Sequence, residues 1–242
     1  MSGLSIAKSL ELHLLRPLIT HEEVRAGCAQ AAAAHLASVS VWPAHVALAV
    51  AELAGSDTRV RAAVGFPFGQ DTPSIKLAAC DRALADGADE LAVMLDHGAL
   101  VDPRDNLAAA RVELEQLLEH AGWSPLTAAR GRSELTIVIE ATMLDLTALD
   151  PLLQRLHESP AGFLQTGSGH QPRAVTQEHV RVLRELLPAD VAIVAVGGVA
   201  SLQDAEDLVV SGASRVGSGS AIAIIEQERQ DRAARQSRNT PS

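Results

Sequence analysis

Leu135-Thr136-Ile137-Val138-Ile139 is the stretch that decides the fold, because only Thr136 interrupts its apolar character. A strand with one face in water alternates apolar and polar residues. A nearly unbroken apolar run instead belongs to a parallel sheet covered on both faces. Working outward, comparable short runs occur at residues 10–15, 37–41, 60–66, 91–95, 162–166, 191–196 and 215–217. With 135–140 they make eight. Helical patterns lie between them, near 21–34, 44–53, 73–87, 103–121, 147–158, 175–187 and 201–211, with a last one from about 220. Several begin on helix-start signals: Thr20 before His21-Glu22-Glu23, Asp71-Thr72-Pro73, and Ser201 with Asp204.

Eight strand–helix units in 242 residues predict a (β/α)8 TIM barrel, with function at the C-terminal ends of the strands. A doubly wound open sheet is the rival, but no Gly-x-Gly-x-x-Gly follows the first strand. The barrel is expected to span 1–225, with 226–242 as a fraying polar tail. Residues 122–133 read as an irregular polar loop.

Composition narrows the function. Apolar residues form 47% of the chain, aromatics 2%, and Tyr is absent, so Ala, Val, Leu and Ile must build the core. A net charge of −10 argues against nucleic acid and anionic membranes as general partners. Backbone amides can still bind a small anion. No apolar stretch is long enough for a signal peptide or a membrane span, so a cytoplasmic protein is expected. Cys28 and Cys80 lack metal spacing and read as buried small side chains in a reducing compartment. No cofactor fingerprint is present.

Glycine clusters stand at three successive strand ends: Thr166-Gly167-Ser168-Gly169, Gly197-Gly198 and Gly217-Ser218-Gly219-Ser220. In barrels the loops after the last strands frequently hold phosphate, through amides and helix dipoles. Thr166, Ser168, Gly169, Gly197, Gly198, Ser218, Gly219 and Ser220 are therefore the candidate phosphate ligands, the two serines of the last cluster adding hydroxyl donors. Tight βα turns are the alternative explanation of the same glycines.

These residues, in this order, resemble the deoxyribose-phosphate aldolase family. The most specific stretch is Val64-Gly65-Phe66-Pro67-Phe68-Gly69, continuing through Ile75-Lys76 to Ala83-Leu84-Ala85-Asp86-Gly87-Ala88-Asp89-Glu90. Leu14-Leu15-Arg16-Pro17, Ala37-Ser38-Val39-Ser40-Val41, Ile139-Glu140 and the glycine clusters support it, so that residues 8–225 are covered. The resemblance implies a class I aldolase barrel in which a lysine amine forms a Schiff base with an aldehyde. It places the Schiff-base lysine at Gln165, the second lysine at Val194, the relay aspartate at Ala92 and a further lysine at Thr136. Lys8 and Lys76 are the only lysines among the 242 residues, and neither lies at those positions. An amide nitrogen has a delocalised lone pair and cannot form an imine, so the resemblance implies a member without Schiff-base chemistry.

Strand parity shows what replaces it. Counting from Gln165, Ala92 and Thr136, the side chains of Phe163, Met94, Asp96, Val138 and Glu140 face inward. Glu11 and His13 share a parity on the first strand, and Ser40 faces in from the second. Glu140, Asp96, His13, Glu11 and Gln165 are thus the candidate catalytic set, with His97 and His170 just beyond strand ends. Three readings stand open. The set performs general acid/base chemistry on a small phosphorylated or polyhydroxylated carbonyl compound. Alternatively His13, His97, His170 and Asp96 bind a metal, although no His-x-His or His-Glu-x-x-His spacing supports one. Or the groups form a satisfied polar network in a ligand-binding pseudoenzyme. Residual aldolase turnover by another route is a further alternative, and a homodimer is an expected assembly for such a barrel. Arg173, after the sixth strand, either reaches a phosphate or forms a surface ion pair.

Overall fold

A computed structural model describes residues 5–102, 107–123, 134–157 and 159–238. Eight parallel strands close into a barrel in chain order: β1 (Leu10–Leu14), β2 (Ser38–Val41), β3 (Arg59–Val64), β4 (Glu90–Met94), β5 (Glu134–Val138), β6 (Ala161–Gln165), β7 (Ala192–Val196) and β8 (Arg215–Ser218). β8 returns to pair with β1. Around it lie α1 (His21–Ala34), α2 (Val46–Glu52), α3 (Pro73–Ala85), α4 (His97–Val101), α5 (Ala108–Trp123), α6 (Asp150–Leu153), α7 (Gln177–Leu186), α8 (Leu202–Val210) and α9 (Ala221–Arg238). The structure is the TIM barrel that the strand pattern predicts.

Side-chain alternation divides the buried residues into two populations. Outward-facing Leu10, Leu12, Val39, Val41, Val60, Val64, Val93, Ile137, Leu164, Ile193 and Val216 pack with the helices in one continuous core. Inward-facing Ala92, Met94 and Val138 form a separate small cluster inside the barrel, with Phe66 against it. The expected helix starts are present. Thr20 and Glu23 form a capping box, Ser201 and Asp204 another, and Pro73 occupies the first turn of α3.

Three segments differ from the sequence reading. The pattern over 147–158 is broken into a 3-10 turn, the short α6 and another 3-10 turn. Pro151 explains part of this, since it supplies no backbone donor. Trp123 belongs to α5, while most of the expected loop at 122–133 lies outside the described residues. Residues 226–238, expected as a polar tail, are helical and continue α9. There Glu228 is buried, accepts from the Ser5 hydroxyl at 2.7 Å and the Ile6 amide at 3.1 Å, and pairs with Arg232 one turn on at 2.8 Å.

Candidate functional site

The inner ends of the strands carry charge. Arg61 of β3 is fully buried and donates to Glu11 of β1 and to Glu90 of β4, both at 2.9 Å. Arg215, opening β8, donates to Glu90 at 2.8 Å and to Glu11 at 3.2 Å. Its guanidinium lies 4.5 Å from the centre of the Phe163 ring, within cation–π range. Two arginines and two glutamates thus balance inside the barrel, the condition under which buried charges are tolerated. Burial by itself would raise the Glu11 carboxyl, but Arg61, then His13 and Arg215, bring it down to about 2. Glu11, expected from its parity to be an acid/base group, is held between Arg61 and Arg215 in this ion network. Sequence reasoning missed Arg61, Glu90 and Arg215. The signal was present as a lone arginine inside the apolar run Val60-Arg61-Ala62.

Gln165 is also drawn into this network. Its carbonyl accepts from Arg61 at 3.3 Å and its amide donates to the Gly167 carbonyl at 2.7 Å. It is 1% exposed and ties the charged interior to the β6 loop. Asp96 does not serve as an inward acid. It caps α4, accepting from the Gly98 amide at 2.9 Å, while its own amide donates to Glu113 at 3.0 Å. Glu140 sits beneath the β6 loop and accepts the Ser168 amide at 2.8 Å. Burial pushes its carboxyl above the usual range, against the Ser168 hydrogen bonds and the neighbouring His170. A Cβ on Gly167 would approach Glu140 to 2.9 Å, so that glycine makes room for the carboxyl.

Above this floor a cavity of about 450 Å3 opens over β1, β6, β7 and β8. His13, Arg16, Ser168, His170, the Gly197–Gly198 turn and Gly217 to Ser220 are among the residues lining it, and among the described residues no Asp or Glu does. The expected phosphate loops therefore do converge. The hydroxyls of Thr166, Ser168 and Ser218, however, are engaged within the loops. Ser218 donates to the Val199 carbonyl at 2.6 Å and accepts the Ser220 amide at 2.9 Å. Thr166 donates to Val196 at 3.0 Å, and Ser168 accepts from the His170 amide at 3.1 Å. These hydroxyls brace the turns, which local hydrogen bonding favours over reaching outward.

His13 is the member of the expected catalytic set that lines the cavity. Its side chain is 8% exposed, and Nε2 has no hydrogen-bond partner among the described residues, lying 3.5 Å from Glu11. The His170 ring spans the β1 and β6 loops, with Nδ1 3.2 Å from the Ser168 carbonyl and Nε2 3.1 Å from that of Leu15. His97 is not part of this lining; its Nε2 is buried elsewhere, also without a partner among the described residues. Among those residues, no three His, Cys, Asp or Glu side chains gather as a metal-ligand group. Arg173 contacts the Thr142 carbonyl at 3.5 Å and is not part of the lining.

The lysines are committed away from the cavity. Lys76 of α3 is fully buried, donates to the Met94 carbonyl at 2.7 Å and pairs closely with Glu113 of α5. Lys8 precedes β1 and pairs with Asp57 at 2.9 Å. Position 194 is a fully buried valine.

Comparison with known proteins places this arrangement among aldolases. The chain is 31% identical over 222 residues to a deoxyribose-phosphate aldolase of Bacillus cereus (strain ATCC 10987), covering 92% of this chain and 95% of that one. It is 28% identical to the enzyme of that name from Clostridium novyi, covering 95% and 99%. Among solved structures it superposes on QR15, an aldolase, with TM-score 0.84 at 23% identity, covering 96% and 99%. The deoxyribose phosphate aldolase of Aeropyrum pernix, described as tetrameric, gives TM-score 0.80 at 24% identity, covering 93% and 91%. A family model described as dihydroorotate dehydrogenase matches residues 125–232, the part of the barrel that holds β5 to β8.

Proposed function

The chain belongs to the deoxyribose-phosphate aldolase family, and we propose that it has exchanged imine formation for acid/base chemistry on a small phosphorylated or polyhydroxylated carbonyl compound. The cavity lining carries this reading. In a chain of net charge −10, it combines an arginine, two histidines and glycine-rich turns, with no carboxylate among the described residues that line it. Such a lining favours an anionic ligand, and the relatives are named for a sugar phosphate.

In this mechanism the glycine turns receive the anionic group through their amides. His13, whose ring lines the cavity, exchanges a proton with a carbonyl or hydroxyl oxygen of the ligand. Glu11, fixed by Arg61 and Arg215, faces the ring at 3.5 Å and orients it. No amine is available for an imine: positions 165 and 194 are Gln and Val, and both lysines are held in ion pairs remote from the cavity lining.

A non-catalytic, ligand-binding role is the second reading. It is favoured by one observation: Glu11, Asp96 and Gln165 are all occupied by internal hydrogen bonds. Borohydride reduction in the presence of an aldehyde tests the shared premise, with mass spectrometry as the readout. No lysine adduct is expected, and a stable adduct at Lys8 or Lys76 would overturn the loss of imine chemistry. His13→Ala then separates the two readings. Abolished turnover with ligand binding retained identifies an enzyme; turnover unchanged by the substitution removes the acid/base proposal.

A further inference from the structure

Arg16 lines the mouth cavity, yet its charge is turned away toward α1. Its Nη2 donates to Glu23 Oε1 in a close, solvent-exposed ion pair. Glu23 does not depend on that bond for its position. Its other oxygen, Oε2, accepts the Thr20 amide at 2.8 Å and the Thr20 hydroxyl at 2.9 Å, and the Glu23 amide donates back to Thr20 at 3.2 Å. The capping box therefore survives if Arg16 leaves. An exposed ion pair contributes little stability, whereas a guanidinium on a phosphate makes paired, charge-assisted bonds.

The segment around Arg16 has the geometry of a movable flap. The Ile19 amide closes a turn on the Arg16 carbonyl at 3.3 Å. Within that turn Leu18 has φ +63° and is 94% exposed, an unusual state for a large apolar side chain. At the far side of the same loop, the Leu15 carbonyl is held by the His170 ring, which packs near Trp42 with ring centres 6.0 Å apart. The loop is thus anchored at Leu15 and at the Thr20 cap, and Arg16 lies between the anchors.

We propose that Arg16 is a ligand-gated clamp: it exchanges Glu23 for the anionic group of a ligand bound in the mouth, and so sets the specificity for that anion. The proposal rests on the anionic-ligand reading above. Arg16 acts on binding and not on proton transfer. The exchange trades one exposed ion pair for bonds in a partly enclosed cavity lined, among the described residues, by no carboxylate, which gives it its direction.

Calorimetric titration with inorganic phosphate tests it, using the full chain. The wild type is expected to bind. Arg16→Gln is expected to weaken binding about tenfold or more, and Arg16→Lys to restore part of the loss because the charge remains. Glu23→Gln keeps a capping-box residue but releases Arg16, so phosphate binding is expected to tighten. Trp42 fluorescence in a Trp123→Phe background reports the loop next to His170 and is expected to change on titration in the wild type but not in Arg16→Gln. Equal phosphate affinity in the wild type and Arg16→Gln would refute the clamp while leaving the mouth an anion site. No phosphate binding by the folded wild type would overturn both.

Discussion

Gly217 and His13 divide one volume between β8 and β1. A Cβ built on Gly217 would lie 2.3 Å from His13 Nε2, 2.6 Å from Cε1 and 2.8 Å from Val196 Cγ2. The glycine is therefore required by the ring beside it and not by its own backbone. Gly217→Ala is expected to displace the imidazole and to cost about 1–3 kcal/mol, the usual scale of overpacking, as measured by urea denaturation. Phosphate affinity should fall with it. Adding His13→Ser should recover part of the stability, because the closer clash is removed and the contact with one Val196 methyl remains. Failure of the second change to restore stability would mean that Val196, and not His13, sets the size of this position. The same pair shows the reach of sequence reading at this scale. Parity alone places His13 inward, but nothing in the order of residues announces that its edge lies against a glycine 204 positions away.

Among the elements, α3, α5 and the end of β4 are locked together by one buried pair. Lys76 bonds the Met94 carbonyl, Glu113 accepts the Asp96 amide at 3.0 Å, and the two side chains pair with each other. Both ends of the turn leaving β4 are thereby fixed by charge. Removing one partner leaves an uncompensated buried charge, so Lys76→Met is expected to lose about 3–5 kcal/mol of stability. Lys76→Met with Glu113→Leu should lose much less. Urea denaturation of the two single variants and the double variant completes the cycle, and a double variant as unstable as the sum of the singles would deny the coupling. Helix starts were legible at this scale because capping is local: Thr20, Ser201 and Pro73 act within one turn of themselves. The continuation of α9 was less so. Its polar residues suggested a polar tail, while Glu228 within it reaches Ser5 and Ile6 near the other end of the sequence.

For the whole molecule, the barrel was legible because eight apolar runs and their alternation have few alternative packings, and the glycine loops converge on one cavity. The charged interior was not, because Arg61, Glu90, Arg215 and Glu11 come from four strands and meet only on closure. That interior decides how the family's chemistry would return. Gln165→Lys places an amine beside the Arg61 guanidinium, which lies 3.3 Å from the present amide oxygen. A neighbouring cation lowers an amine's pKa and favours the neutral nucleophile. Val194→Lys and Ala92→Asp, at positions no more than 1% exposed, add further charge to the same enclosed space. The three substitutions together raise the interior charge by about one unit and are expected to cost several kcal/mol, seen as a lower unfolding midpoint. The folded triple variant is expected to give a borohydride-fixed adduct mapped to position 165, in an amount below the stoichiometry of protein. A folded triple variant with no adduct would mean that Met94, Val138 and the ion network bar an aldehyde from the centre. The absence of imine chemistry proposed for this chain would then be a property of how the barrel is filled, and the replaced lysines would be its consequence.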